Sequence, residues 1–183
     1  MSDAQEVEIS RFLSFVLRHK PEAIGLQLDS EGWADVEALI TGAVRAGKDL
    51  DERTIRRMVD GNDKKRFALS EDGRRIRAVQ GHSSASVQRQ YETVVPPQRL
   101  FHGTASRFLD SILQKGLIAG SRHHVHLSTD RETATQVGER YGEPVILEVD
   151  ARAMHEDGFA FHQAENGVWL TARVPVAYLK REG

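Results

Sequence analysis

The chain has 183 residues, 39% of them hydrophobic and 28% charged, which is typical of a folded protein with one domain or two small ones. It has no cysteine, which excludes disulfides, thiolate metal sites and cysteine nucleophiles. No apolar run is long enough to span a membrane, and the polar N-terminus lacks the pattern of a secretory signal. We therefore expect a soluble protein in the cytoplasm.

The first part of the chain is predicted to form three helices. Apolar residues recur at helical spacing between positions 6 and 18 and predict an amphipathic helix there. Asp35 and Asp51 each precede a further apolar stripe, so we expect both to act as N-caps. Gly47 and Gly61 follow these stripes and are expected to end the second and third helices.

A basic β-hairpin is predicted after the third helix, with strands over 66–69 and 75–79 around a Glu-Asp-Gly turn. The net charge of −2 argues against a nucleic-acid partner, yet nine basic and four acidic residues lie between Arg53 and Arg77. Such a local excess can bind a polyanion, although a solvated surface is the alternative. Three helices and a hairpin are the order of a winged helix, which favours nucleic-acid binding.

The second half is predicted to form an α+β lobe with several short strands and about two helices. A shift in composition over 81–98, which ends in two prolines, indicates a connection between the lobes. We expect the first strand to give way to a turn at His102 and Gly103. The predicted strands are 99–103, 125–128 and 144–150, with further short strands or turns over 158–161, 168–171 and 176–179. The predicted helices are 108–115 and 131–141.

Histidines and arginines are the candidates for chemistry. Three histidines fall within positions 123–126, and on a strand His124 and His126 would face the same side. They could bind zinc with a third ligand from elsewhere, form hydrogen bonds within the lobe, or contact a ligand. The chain has neither a P-loop nor a Rossmann glycine motif. Arg18, Arg66 and Arg122 are suited to phosphate by their guanidinium groups, although each alone is typical of a surface cation.

Several short segments form one ordered pattern. They are SFVLRHKP at 14–21, GW at 32–33, RF at 66–67, IRA at 76–78 followed by QGHS at 80–83, HGT at 102–104, RHHVHLS at 122–128 and NGVWLT at 166–171. Together they span nearly the whole chain and resemble the NAD-dependent RNA 2′-phosphotransferases, tRNA-splicing-type enzymes with bacterial members. Two positions depart from the family pattern, because Val79 stands where Asn is usual and Phe101 where Tyr is common.

The resemblance implies a winged-helix RNA-binding lobe over 1–90 and an NAD-binding lobe of the ADP-ribosyltransferase fold over 91–183. The family's catalytic tetrad falls on Arg18, His19, Arg66 and Arg122. The positions expected to bind NAD are His102, Gly103, Thr104, His126, Ser128 and Asn166. The positions expected to bind RNA are Lys20, Lys65, Arg77, Gln80, His82 and Ser83.

The resemblance also implies a two-step reaction. The RNA 2′-phosphate attacks the ribose carbon of NAD and displaces nicotinamide, and the neighbouring ribose hydroxyl then attacks phosphorus. The products are 2′-hydroxyl RNA and ADP-ribose 1″,2″-cyclic phosphate. Because arginines can neutralise the phosphate, we expect no metal requirement. We also expect a monomer, since the sequence shows no long apolar stripe beyond what two small cores would use.

Two other functions are considered. Gln163-Ala164-Glu165 is similar to the Gln-x-Glu element of ADP-ribosyltransferases that modify another nucleic-acid or protein acceptor. A winged-helix transcription factor with a sensory C-terminal lobe is the second alternative. It would bind duplex DNA and leave NAD intact, but Arg18 and His19 lie at the end of the first helix, outside the usual reading helix.

Overall fold

The computed structural model describes residues 3–61 and 64–181. The chain divides into two compact units, residues 1–90 and 91–183, and each contains its own hydrophobic cluster. Helices and small sheets occur in both units, so the predicted α+β class is confirmed. Within the described ranges, no helix is long and apolar enough to cross a membrane.

The three predicted helices of the first unit are present. They are α1 (Asp3–Arg18), α2 (Val36–Arg45) and α3 (Glu52–Asp60), with a short 3-10 turn at Pro21–Ile24. The two expected N-caps are confirmed, since the Asp35 carboxylate accepts from the amide of Ala38 and the Asp51 carboxylate from that of Thr54. Helix α1 begins at Asp3, before the predicted residue 6. The prediction missed this first turn because its residues are polar and have no apolar period.

The sheet of the first unit has three antiparallel strands in the order β1-β3-β2. These strands are β1 (Ala34–Asp35), β2 (Phe67–Leu69) and β3 (Arg75–Ala78). Strands β2 and β3 form the predicted hairpin, whereas β1 is too short to have a periodic signal and was not predicted. The sheet buries Phe67 and Ile76 against Leu13, Val16 and Leu17 of α1 in one core.

Residues 81–90, the first half of the expected connection, are part of the first unit. Val87 is fully buried and His82 is 4% exposed. The Arg89 guanidinium donates a hydrogen bond to the carbonyl of Val79, which ties the end of this segment to the residue after β3. The segment is therefore a packed layer of the first unit.

In the described part of the second unit, eight short strands form three antiparallel sheets, with the orders β11-β7-β4, β6-β9-β8 and β10-β5. The strands are β4 (Arg99–Ala105), β5 (Leu117–Ile118), β6 (Val125–Leu127), β7 (Pro144–Asp150), β8 (Phe161–Gln163), β9 (Trp169–Thr171), β10 (Arg173–Val174) and β11 (Leu179–Arg181). The strand predicted over 144–150 is confirmed.

One strand prediction for the second unit needs correction. The turn expected at His102 and Gly103 is wrong, because β4 continues to Ala105 in register with β7. The segments expected to form strands or turns agree with the structure, since 158–161 leads into β8 and 176–179 is a 3-10 turn that leads into β11.

The residues described for the second unit form three helices, where about two were predicted. They are α4 (Leu109–Lys115), α5 (Arg131–Gly138) and α6 (Ala151–Glu156). Helix α5 ends before the predicted residue 141, and Glu139–Tyr141 forms a 3-10 turn. Helix α6 was missed because its N-cap, Asp150, is also the last residue of the apolar strand β7.

Candidate functional site

Arg18 and His19 lie where α1 ends, and residues 81–84 pack against them. The carbonyl of Arg18 accepts from the amides of Ser83, at 2.8 Å, and Ser84, at 3.2 Å. The Nδ1 atom of His19 lies 2.8 Å from the Ser83 Oγ. Gly81 has φ +88°, and a Cβ there would lie 3.5 Å from the Arg18 Cδ. The two side chains are therefore held by a segment more than sixty residues away in sequence.

Arg66 approaches the same segment from β2. Its carbonyl accepts from the amide of Val79, only two residues before the Gly81 that contacts Arg18. The Arg66 guanidinium donates to the Oγ of Ser10, a nearly buried residue of α1, at 3.4 Å. Three of the four predicted catalytic residues therefore surround one short stretch of backbone, with two guanidiniums and one imidazole among them.

The residues expected to bind RNA differ in exposure. Lys20 and Lys65 are exposed, and Lys65 has the unusual φ of +38° just before Arg66. The Oε1 atom of Gln80 is buried and has no hydrogen-bond partner among the described residues. His82 is 4% exposed, and its ring fills the space that a Cβ at Gly32 would occupy. Any role of His82 in RNA binding therefore acts through the conformation of its segment.

Ser83 was expected to contact RNA, whereas its hydroxyl lies against His19. Arg77 was expected in the same group, and its guanidinium carbon lies 4.3 Å from the ring centroid of Trp33. Both side chains thus contact another residue of the protein. If either side chain binds RNA, it must do so together with that contact.

His102 of the second unit lies on β4 and is linked to β6. Its Nδ1 donates to the carbonyl of His126 at 3.0 Å, which requires the proton on Nδ1. Burial lowers the pKa of His102 below its usual 6.5. The hydrogen bond to the His126 carbonyl raises this pKa, but by less than burial lowers it. The imidazole is therefore neutral near pH 7, and its Nε2 is a hydrogen-bond acceptor.

Ser128 and Asn166 come close to the same region. Ser128 and Phe101 exchange two backbone hydrogen bonds of 2.8 Å, which join β4 to the chain after β6. Leu127 pairs with Trp169, so the next register position places Ser128 beside the β8–β9 turn that contains Asn166. The structure therefore brings four of the predicted NAD-binding positions, His102, His126, Ser128 and Asn166, to one part of the second unit.

Gly103 and Thr104 lie on β4 beneath α5. A Cβ at Gly103 would lie 1.6 Å from the carbonyl oxygen of Ala134, and a Cβ at Gly138 would lie 2.6 Å from that of Thr104. Thr104 is 5% exposed. The glycine at position 103 is therefore required for packing of the helix on the strand, whether or not its backbone also contacts a ligand.

Arg122 is partly exposed in the turn before β6, and its amide donates to the carbonyl of Ala119 at 3.2 Å. His124, two residues on, contacts the rings of Tyr91 and His162, at centroid distances of 5.8 and 5.9 Å. Burial lowers the pKa of His124, and the charges of His162 and His123 lower it further. In residues 3–61 and 64–181, no three His, Asp or Glu side chains form a group that could hold a metal ion.

Four residues near the predicted site were not found from the sequence. They are Ser10 beside Arg66, Tyr91 and His162 beside His124, and Arg131, whose guanidinium carbon lies 4.7 Å from the Phe101 ring centroid. Each contact joins elements that are far apart in the chain, so no local spacing or motif signals it.

Comparison with known proteins gives the family. Residues 4–173 match the family described as RNA 2′-phosphotransferase, Tpt1 / KptA family. A probable RNA 2′-phosphotransferase of Pseudomonas aeruginosa (strain UCBPP-PA14) is 65% identical over 173 residues, which cover 94% of this chain and 95% of the relative. A protein of the same name from Burkholderia lata (strain 383) is 63% identical over 172 residues, 94% of this chain and 89% of the relative.

A more distant relative has the same name. A probable RNA 2′-phosphotransferase of Escherichia coli O45:K1 (strain S88) is 57% identical over 179 residues, 98% of this chain and 92% of the relative. The matches run through both units and therefore define the whole chain as a member of a family named for phosphate transfer. The chain belongs to the RNA 2′-phosphotransferase, Tpt1 / KptA family.

Proposed function

We propose that this protein removes an internal 2′-phosphate from RNA by transferring it to NAD. The family supports the RNA 2′-phosphate as substrate. The observation that carries the proposal is the grouping of Arg18, His19 and Arg66 around residues 79–84. Two guanidiniums and an imidazole are the groups that would bind a phosphate dianion through charge and directed hydrogen bonds.

The first step needs positioning more than acid–base chemistry. A phosphate monoester is largely dianionic at pH 7, because its second pKa is about 6. An RNA 2′-phosphate oxygen forms a bond to the ribose carbon that carries nicotinamide, and the bond to nicotinamide breaks as that group leaves neutral. Arg18 and Arg66 are assigned to hold the phosphate, since the correct placement of two reactants lowers the barrier greatly.

The second step transfers phosphorus. The adjacent ribose hydroxyl loses its proton and attacks phosphorus, and the RNA 2′-oxygen leaves and takes up a proton. The products are 2′-hydroxyl RNA and ADP-ribose 1″,2″-cyclic phosphate. Arg122 is assigned to stabilise the charge on phosphorus. His19 is assigned to bind the phosphate or to carry the proton, through the Nε2 atom, because its Nδ1 lies against Ser83.

The second unit offers groups suited to the nicotinamide riboside part of NAD. His102 has a neutral imidazole with an acceptor nitrogen, and Ser128 and Asn166 bring a hydroxyl and an amide to the same region. Uncharged donors and acceptors of this kind match an amide and ribose hydroxyls. We also propose that the first unit is a winged helix and that the second unit has an ADP-ribosyltransferase-like fold. The order of helices and strands in each unit is compatible with these folds.

The test is to trap the intermediate. In the Arg122→Ala variant, incubation with NAD and 2′-phosphorylated RNA should accumulate ADP-ribosylated RNA, because the second step loses about 10²–10³-fold in rate. Arg140→Ala removes an exposed arginine of the same unit and serves as the matched control. Mass spectrometry of the RNA measures the intermediate. Equal behaviour of the two variants would contradict the role of Arg122.

The rival function, ADP-ribosylation of another acceptor, rests on Glu165. This residue is exposed in the turn between β8 and β9, directly before Asn166. A phosphate acceptor is already charged and needs no carboxylate to activate it, so Glu165→Ala should keep most of the activity. A loss of NAD cleavage of more than about 10²-fold would favour the rival function.

A further inference from the structure

Trp33 and two arginines of β3 form a surface group that the proposed reaction does not use. Ala34 pairs with Ile76 and Asp35 with Arg75, so the next register position places Trp33 opposite Arg77. The guanidinium carbons of Arg77 and Arg75 lie 4.3 and 5.4 Å from the centroid of the Trp33 ring. Side chains alternate along a strand, so the two arginines share the face opposite the buried Ile76.

The backbone at Trp33 is held in place by its own loop. The Asp29 carboxylate accepts from the amide of Trp33 at 2.9 Å, and the amide of Asp29 donates to the carbonyl of Trp33 at 3.0 Å. The same carboxylate also accepts from the amide of Glu31. A closed loop of this kind fixes the backbone that carries the aromatic ring, so less backbone freedom is lost on binding.

We infer that Trp33, Arg75 and Arg77 form a stacking surface for an unpaired nucleobase of RNA, which rests on the proposed function for the identity of the substrate. Trp33 is partly exposed, and Arg75 has 55% of its side chain exposed. Aromatic rings and guanidinium planes bind unpaired bases by stacking, whereas bases within a duplex are already stacked on each other. The occupant is therefore single-stranded.

The stacking surface lies on the same sheet that leads to Arg66, one of the residues assigned to hold the phosphate. Arg77 pairs with Ala68 of β2, and Arg66 comes two residues before Ala68. Trp33 lies on the β1 side of β3, two strand spacings from β2, which adds about 10 Å across the sheet to the roughly 7 Å that two residues span along a strand. A base near the 2′-phosphorylated nucleotide in the strand would thus reach Trp33 while the 2′-phosphate is bound near Arg66.

Tryptophan fluorescence tests this directly, because the chain has two tryptophans. Trp169 is buried, and its Nε1 has no hydrogen-bond partner among the described residues, so Trp169→Phe removes no described hydrogen bond and leaves Trp33 as the only reporter. Without NAD, a short single-stranded RNA with one internal 2′-phosphate should quench this fluorescence saturably. The duplex form of the same RNA should quench it much less.

Binding variants give the second measurement. Trp33→Leu keeps an apolar side chain but no aromatic face and should raise the Kd for the single strand about tenfold, while Trp33→Phe should stay within about threefold. Arg75→Gln should also lower the salt dependence of binding, by about 0.7 in the slope of log K against log salt. Arg45→Gln, at the end of α2, is the control with the same change of charge.

The outcomes separate this inference from the proposed reaction. RNA binding without quenching, quenching by duplex as strong as by single strand, or a wild-type Kd for Trp33→Leu would overturn the stacking surface. If those results occur while the 2′-phosphate is still removed, only the surface is wrong. If Trp33 is quenched and Trp33→Leu binds weakly, but NAD and RNA do not react, the surface stands and the reaction is wrong.

Discussion

The Nδ1 atom of His19 lies 2.8 Å from the Oγ of Ser83, a residue 64 positions later in the chain. The amide of Ser83 also donates to the carbonyl of Arg18. One serine therefore fixes the ring of His19 through its side chain and the end of α1 through its backbone. This arrangement makes Ser83 a positioning residue for His19.

Ser83→Ala should lower kcat about tenfold and leave the KM for NAD unchanged, because one hydrogen bond that orients the imidazole is lost. Ser83→Thr keeps the hydroxyl and should restore most of the rate. Steady-state kinetics measure kcat and KM for both variants, and a wild-type kcat for Ser83→Ala would remove Ser83 from this role.

Gly103→Ala should destabilise the second unit by about 3 kcal/mol or more, since helix α5 must move to make room for the added methyl group. The reason is the distance of 1.6 Å between an added Cβ and the carbonyl oxygen of Ala134. Gly120→Ala is the comparison, because Gly120 has φ +64° but no atom within 4 Å of an added Cβ. That variant should lose only about 1–2 kcal/mol. Urea unfolding measures the difference, and equal losses would contradict the packing role.

Stability should fall as the pH is lowered through the range of histidine titration. The pKa of His102 is lowered by burial, so the neutral ring is favoured in the folded state. The contribution of His102 to the free energy of unfolding is therefore complete above about pH 6.5. It is lost as the pH falls toward the folded-state pKa of His102. His124 acts in the same direction. His102→Gln should weaken this pH dependence, as measured by urea unfolding at about pH 7.5 and 5.5; an unchanged dependence would show that another group causes it.

The reaction should proceed in excess chelator. In the proposed mechanism the guanidiniums of Arg18, Arg66 and Arg122 stabilise the phosphate charge, which is the task that Mg²⁺ performs in many phosphoryl transfers. The initial rate should be the same with and without EDTA. Loss of activity that a single divalent metal restores would contradict this prediction.

The helices and caps could be predicted because their signals are local. The carboxylates of Asp35 and Asp51 each accept from the amide three residues ahead and cap a helix, as was expected from the sequence. Strands β1 and β5 have two residues each and no detectable period. The Gly103 position was assigned to a turn because glycine is common there, whereas close contact with α5 is what requires it.

The candidate site was less accessible to sequence reasoning. Arg18, His19 and Arg66 were selected through the family resemblance, and the structure adds Ser10 and Ser83 as their contacts. Serines are frequent, and nothing near them in the sequence points to a partner more than fifty residues away. The physical cause of these contacts is the packing of α1, β2 and the 81–84 segment on one core, which only the folded chain reveals.

The fate of the phosphorus atom is the most direct test of the central claim. The wild-type protein is incubated with NAD and an RNA that has one internal ³²P-labelled 2′-phosphate, and the labelled product is identified by chromatography and mass spectrometry. The account predicts that the label leaves the RNA and appears in ADP-ribose 1″,2″-cyclic phosphate, with one nicotinamide released per phosphate. Release of the label as inorganic phosphate, or its removal in the absence of NAD, would contradict the transfer mechanism.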